Sequence, residues 1–228
     1  MTIDFAAKLA RLTPPPTVIS TPERPLTPEE KDCERAWRKE VRQLIRDQRR
    51  SLTPEEVQAQ SSLIHKRLLQ HPFLQQSRRI ASYMSFAGEI DTHVLNDLLK
   101  DSNHQVGLPV IDPEQKGIMH FYRYLGAEHL VENALKILEP QQDKDNYIAP
   151  SELEVVLVPL VAFAPDGARI GMGGGYYDRL LKKIHPKCLT IGLAYDFQRL
   201  EHINIQSWDV PLDEILTPTQ HYRIKAKY

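Results

Sequence analysis

The sequence predicts an α/β fold in three layers, a mostly parallel sheet flanked by helices, preceded by an N-terminal helical pair. Two observations carry this. From residue 80 onward, short apolar runs alternate with helix-like stretches, the pattern of strands joined by helical crossovers. Residues 155–163 are almost unbroken apolar sequence, as a strand covered on both faces requires.

The elements follow in order. Residues 1–26 read as a flexible proline-rich tail, because Pro14, Pro15, Pro16, Pro22 and Pro25 remove backbone donors and disfavour helix. Within it, residues 5–12 have the makings of a short helix with no evident docking partner. A single domain is expected over 27–228. Thr27-Pro28-Glu29-Glu30 and Thr53-Pro54-Glu55-Glu56 spell the same start twice: threonine N-cap, proline at the first helical position, glutamate closing a capping box. Trp37, Val41, Leu44 and Ile45, then Val57, Ile64 and Leu68, recur at helical spacing and extend these starts into helices over 28–50 and 54–70. Strands are expected at 80–86, 106–111, 118–124, 155–163, 189–195 and 214–217, and helices at 92–100 and 176–184.

Composition excludes several functions. With 228 residues and a formal net charge of -1, the chain has no bulk attraction for nucleic acid or an anionic membrane. Cys33 and Cys188 form no CxxC pair, which fits a reducing, cytoplasmic setting. No apolar run reaches the ~20 residues of a membrane span. Nine histidines make no HxxxH or HxxEH arrangement, and no GxSxG elbow occurs.

The most informative segment is Arg169-Ile170-Gly171-Met172-Gly173-Gly174-Gly175-Tyr176-Tyr177-Asp178. Glycines at this density let backbone N–H groups approach a ligand, and a helix starting just beyond them adds donors and dipole, so a phosphate cradle is expected. It is not a P-loop, since Gly175 is followed by Tyr176 and not by Lys. It is a poor dinucleotide fingerprint, because Tyr176 fills the third small position and 165–169 separates strand from glycines. Arg38, Arg42, Arg46 and Arg49 line one face of the first long helix, a ridge able to clamp phosphates. Arg46 and Arg49 read more simply as solvated. Glu89 lies at a strand's C-terminal end, where open α/β sheets place ligands, while Asp91 or Thr92 caps the next helix. Asp178 and Asp213 are candidate magnesium ligands, since that ion takes one or two carboxylates beside water and phosphate.

Together these residues resemble the 5-formyltetrahydrofolate cyclo-ligase family over about 37–217. The match includes the basic first helix, Glu89-Ile-Asp-Thr, Leu108-Pro109, Leu138-Glu139-Pro140, Val158-Pro159 and the 169–179 stretch. The resemblance implies a three-layer α/β enzyme using Mg2+ and ATP, and a monomer is expected. Its partner would be 5-formyltetrahydrofolate, polyglutamylated or not, with no nucleic acid or membrane. By position, it implies that Arg38, Lys39, Glu40, Val41 and Arg42 hold ATP together with Arg169, Ile170, Gly171, Met172, Gly173, Gly174, Gly175, Tyr176 and Tyr177. Met84, Glu89 and 172–176 would line the folate site, and Asp178 and Asp213 would hold the metal. Arg42 and Arg169 are the expected catalytic residues. Some family members carry basic side chains inside the loop, where this chain has Met172 and Gly174.

Overall fold

The computed structural model describes residues 5–12, 14–15, 26–133 and 138–226. Both capping boxes form. Thr27 Oγ1 accepts from the Glu30 N–H and the Glu30 carboxylate accepts from the Thr27 N–H, and Thr53 and Glu56 repeat the pair. They open α2 (Pro28–Arg50) and α3 (Pro54–Leu69), after a short α1 (Phe5–Arg11).

Eight strands build the main sheet: β1 (Arg79–Ala81), β2 (Gln105–Ile111), β3 (Met119–Arg123), β6 (Tyr147–Ile148), β7 (Val155–Pro159), β10 (Leu189–Leu193), β11 (Glu214–Leu216) and β12 (His221–Arg223). Their spatial order is β12-β11-β10-β7-β1-β2-β3-β6. The five central strands run parallel. The edges are antiparallel, and for β2–β3 the cause is simple: the chain between Ile111 and Met119 is too short for a parallel crossover. Two small antiparallel pairs stand apart: β4 (Leu130–Glu132) with β5 (Leu138–Pro140), and β8 (Ala162–Phe163) with β9 (Arg169–Ile170).

Helices α3 and α4 (His93–Asp101) cover one face of the sheet, where Ile64, Leu68, Leu95 and Leu99 meet Ile80, Val106, Leu157 and Ile191. The other face packs Val156, Val158, Phe121 and Ile215 against α5 (Tyr176–Leu181) through Leu180 and Leu181. A third cluster joins Trp37, Val41 and Ile45 of α2 to Ala162 and Ile170 of the β8–β9 arm. Each buried aliphatic side chain stabilises by about 1.5–3 kcal/mol relative to exposure. This third cluster therefore fixes α2 firmly beside the arm.

Several sequence expectations need correction. The apolar run 155–163 is two strands. The chain leaves the sheet after Pro159, and Gln198 Nε2 donates to the released carbonyls of Leu160 and Val161 at 3.0 and 2.8 Å, which removes the cost of the bend. The strand expected over 80–86 ends at Ala81. Beyond it, Thr92 Oγ1 donates to the Tyr83 carbonyl at 2.5 Å and accepts from the Ser85 N–H at 2.9 Å, so side chains hold this stretch. The helix expected over 176–184 stops at Leu181.

The described part of the proline-rich N-terminus is anchored, where the composition led to expecting a flexible tail. Phe5, Leu9 and Leu12 pack on the third cluster. Trp37 Nε1 donates to the Leu12 carbonyl at 3.2 Å, and Asn204 Nδ2 to that of Pro15 at 3.0 Å.

Candidate active site

The arm β8–β9 aims the glycine loop at α2. Arg42 Nε donates to the Gly171 carbonyl at 2.8 Å, and Arg46 Nη2 reaches Met172 Sδ at 3.6 Å. Gly173 has φ +104°, a backbone state that L side chains rarely adopt, and the place of its missing Cβ lies 3.8 Å from Arg42 Cζ. Gly173 and Gly174 are exposed. Burial, then the neighbouring cations Arg38 and Arg46, lower the Arg42 pKa from its ordinary value. That direction marks a concentration of positive charge beside open backbone, the makings of a polyanion receptor. With α5 only six residues long, the receptor rests on loop and arginines more than on a helix end.

Other expected nucleotide contacts are placed differently. Arg38 is committed internally: Nε donates to Glu34 at 2.7 Å, and Nη2 to the Asn204 carbonyl and Asp209 at 2.7 and 2.8 Å. Lys39 and Glu40 are exposed, and Val41 and Ile170 lie wholly in the core. Arg169 is buried. It donates to the Val210 carbonyl and to Asp178 Oδ1, the latter at 2.6 Å. Its geometry is that of an anchor joining β9, the segment after residue 209 and α5.

The two aspartates differ in fitness for a metal. Asp178 is part-exposed beside the loop, with one oxygen taken by Arg169. Asp213 is buried, and its Oδ2 accepts from both the N–H and the hydroxyl of Thr190, at 2.9 and 2.7 Å. Asp213 thus stitches β10 to the start of β11. Asp178 suits a sparse magnesium site completed by water and phosphate oxygens, while Asp213 has its Oδ2 held by Thr190. Among the described residues, one group has metal-ligand spacing: His71, Glu214 and His221. Yet His71 Nδ1 accepts from the Phe73 N–H at 3.2 Å. A neutral ring then carries its proton on Nε2 and donates it to Glu214, 2.9 Å away.

The second half of the site is a buried cluster of side chains around Glu89, termed the Glu89 chamber. Ala87 and Gly88 turn with positive φ, and a Cβ on Gly88 would come within 2.9 Å of the Arg49 carbonyl. Only glycine lets the turn press onto α2 this closely. Glu89 Oε2 accepts from the Phe86 N–H at 3.3 Å, and Oε1 faces Arg49 Nη1 at 3.6 Å. Asp91 Oδ1 accepts from the His93 N–H at 2.8 Å, so Asp91 caps α4 and Glu89 does not. Tyr195 donates its hydroxyl to the Glu89 carbonyl at 3.2 Å. Burial pushes the Glu89 carboxyl up to about 7, against the opposing pull of Arg49. Met84 is part-buried beneath this region, its sulfur 3.6 Å from Asn96 Nδ2. Tyr177, expected at the nucleotide, is turned toward Glu89, whose charge raises its pKa further after burial. Outside the turn lies an open cleft lined by Arg49, Leu52, Val57, Gly88, Asp91 and Val94.

An open cationic loop and a sealed acid thus meet across one helix, and comparison with known proteins gives the family of the chain that carries them. Residues 34–218 match the model of the 5-formyltetrahydrofolate cyclo-ligase family. The chain belongs to that family. It is 39% identical over 178 residues to the 5-formyltetrahydrofolate cyclo-ligase of Escherichia coli K12, covering 78% of this chain and 98% of that one. The Haemophilus influenzae enzyme of the same name is 38% identical over 180 residues, covering 78% and 96%. The NMR structure of the Aquifex aeolicus 5,10-methenyltetrahydrofolate synthetase superposes with a TM-score of 0.73 at 30% identity, over 83% of this chain and 93% of that one. The protein is an enzyme of the cyclo-ligase family, whose activity converts 5-formyltetrahydrofolate to methenyltetrahydrofolate. The family match contains every element of both half-sites and leaves α1 outside.

Arg49, Tyr83 and Tyr195 were not expected at the site. Arg49 had a legible signal. Glu34, Trp37, Val41, Ile45 and Arg49 form the buried stripe of α2, and Arg49 continues the four-residue spacing of Trp37, Val41 and Ile45. Reading it as solvated weighed its charge above its spacing. The tyrosines carried no such signal, since strand and core tyrosines are common.

Proposed function

We propose that the chain closes 5-formyltetrahydrofolate to 5,10-methenyltetrahydrofolate at the expense of ATP, with Mg2+, releasing ADP and phosphate. The observation that carries this is the meeting of Arg42, Arg46 and the open 171–174 loop with the sealed Glu89 chamber across α2. A formyl group on nitrogen is an amide and a poor electrophile. Transfer of the γ-phosphoryl group to its oxygen gives an iminium phosphate; N10 then attacks the formyl carbon, and phosphate leaves as the ring closes. Such a transfer needs positioning and charge stabilisation, not a protein nucleophile.

In this reading Arg42 and Arg46 take the phosphate oxygens, and the loop N–H groups of 171–174 cradle them. Asp178 is the protein carboxylate for magnesium, which when bound neutralises phosphate charge. Arg169 holds Asp178 in place. Glu89 accepts hydrogen bonds from the pterin edge, with Met84 beneath. Cys33 is exposed and Cys188 buried, with no disulfide between them, which suits a reducing, cytoplasmic setting.

The test is purified protein with 5-formyltetrahydrofolate and Mg-ATP, watched for methenyl absorbance. Product should form at a rate that falls to background when ATP or magnesium is withheld. Product formation independent of both would overturn the phosphoryl-transfer reading.

A further inference from the structure

We propose that Arg49 is a positioning residue for folate: from the buried end of α2 it holds the Glu89 carboxylate ionised and set to receive the substrate's N–H donors. The inference rests on the reading of Glu89 as the folate acid.

The geometry is that of a pair built around a gap. Arg49 and Glu89 side chains are 2% and 3% exposed, so solvent cannot stand in for missing partners. Their facing atoms are 3.6 Å apart, beyond a hydrogen bond. Arg49 Nη2 is anchored on the Leu160 carbonyl, where β7 has left the sheet. Arg49 Nε and Nη1, Glu89 Oε1 and the Tyr177 hydroxyl have no hydrogen-bond partner. Buried polar atoms are nearly always paired, and four unpaired ones cluster around this acid. Gly88 pressed onto the Arg49 carbonyl fixes the separation, so the two side chains cannot simply collapse together.

Charge supplies the reason for Arg49. A buried carboxyl tends to take up a proton, and a protonated carboxyl presents a donor at one oxygen and no longer a paired-oxygen acceptor for two parallel N–H groups. The groups facing Glu89 from the elements around it are Arg49 on α2, Tyr83 after β1, Tyr177 on α5 and Tyr195 after β10. The three phenols are pushed up by burial and stay neutral near neutrality. Beyond them, Arg46 faces Arg49, Arg169 faces Tyr177 and Asp91 faces Tyr195. Arg49 is the cation that acts directly on the acid.

The experiment is the pH profile of kcat/KM for 5-formyltetrahydrofolate in wild type, Arg49→Met, Arg49→Lys, Glu89→Gln and the Arg49→Met/Glu89→Gln double variant. Wild type should show a limb rising near pH 7, where Glu89 ionises. Arg49→Met keeps the length and loses the charge, so its limb should move to higher pH by about 1–3 units, with the ATP KM unchanged. Arg49→Lys should bring the limb back toward wild type. Glu89→Gln should abolish the limb, and adding Arg49→Met to it should change folate kcat/KM less than about twofold, because the arginine acts through the acid. Arg49→Gln, which removes the charge and keeps a polar end, repeats the test if the methionine variant fails to fold. An unshifted limb with activity lowered equally at all pH values would make Arg49 a packing residue and overturn the inference. If instead Glu89→Gln leaves folate kcat/KM untouched, the reading of Glu89 itself fails.

Discussion

Arg42 and Arg49 stand seven residues apart, two turns along one helix, in opposite surroundings. Arg42 is half-buried beside exposed glycines, bound to the loop by one carbonyl. Arg49 is sealed against an acid and two tyrosines, Tyr83 and Tyr195. The difference teaches that a cationic ridge is not one functional unit. An arginine facing open backbone can meet a polyanion that must enter and leave. An arginine facing a buried acid sets that acid's charge.

The sharpest break in this comparison is Arg42→Ala. If Arg42 stabilises the transferring phosphoryl group, kcat should fall by ~3 kcal/mol in barrier, about a hundredfold, with folate affinity preserved. Steady-state kinetics beside a thermal melt decides it, and a kcat within twofold of wild type would return Arg42 to a loop-holding role.

Glu89→Gln comes next. Losing a charge-assisted bond should lower folate kcat/KM by about 2 kcal/mol, roughly thirtyfold, and leave ATP use nearly unchanged. It also carries a stability signature. The folded carboxyl titrates at about 7 against an ordinary 4.5, so the folded state binds the proton more tightly. Wild type should therefore lose stability relative to Glu89→Gln as pH rises from about 4.5 to 7, with no further divergence above. Parallel melts at several pH values check the sign; divergence in the opposite direction would mean that Glu89 is well solvated or better paired than its surroundings imply.

Gly173→Ala is the milder probe of the open side. At φ +104° the alanine backbone is strained by about 1–3 kcal/mol, which the loop should relieve by shifting. The ATP KM should rise several-fold, while the folate KM stays put. Equal change in both would show that the loop serves the two substrates together.

Removing residues 1–15 should have the smallest effect on catalysis. It strips Phe5, Leu9 and Leu12 from the α2 cluster, so the melting temperature should fall by several degrees. Any kinetic effect should reach the sealed side first, because Phe5 meets Phe197 edge-on at 5.6 Å and Phe197 stacks on Tyr195 at 5.1 Å. Loss confined to ATP use would contradict that route.

Much of the fold was legible because it is written locally. The capping boxes and the apolar spacing of α2 and α3 set both helices, and β-branched runs set β7 and β10. The bend after Pro159 was not legible, since it depends on Gln198, nearly forty residues onward, to satisfy two carbonyls. At the candidate site, residue type alone singled out Gly171, Gly173 and Arg42, which the structure brings together. Asp213 reads as a ligand from its motif, and its Oδ2 contact with Thr190 on the neighbouring strand is visible only in three dimensions. The anchor that Arg169 forms with Asp178 and Val210 is likewise visible only in three dimensions.

The account's central claim is that α2 serves two substrates from two separate places. Calorimetric titration measures it directly: ATP with magnesium, and 5-formyltetrahydrofolate alone, each into wild type, Arg42→Ala and Glu89→Gln. The account predicts a crossover, with Arg42→Ala weakening ATP binding and sparing folate, and Glu89→Gln doing the reverse. Both variants weakening both ligands to the same degree would contradict it, and would make the loop and the chamber a single site.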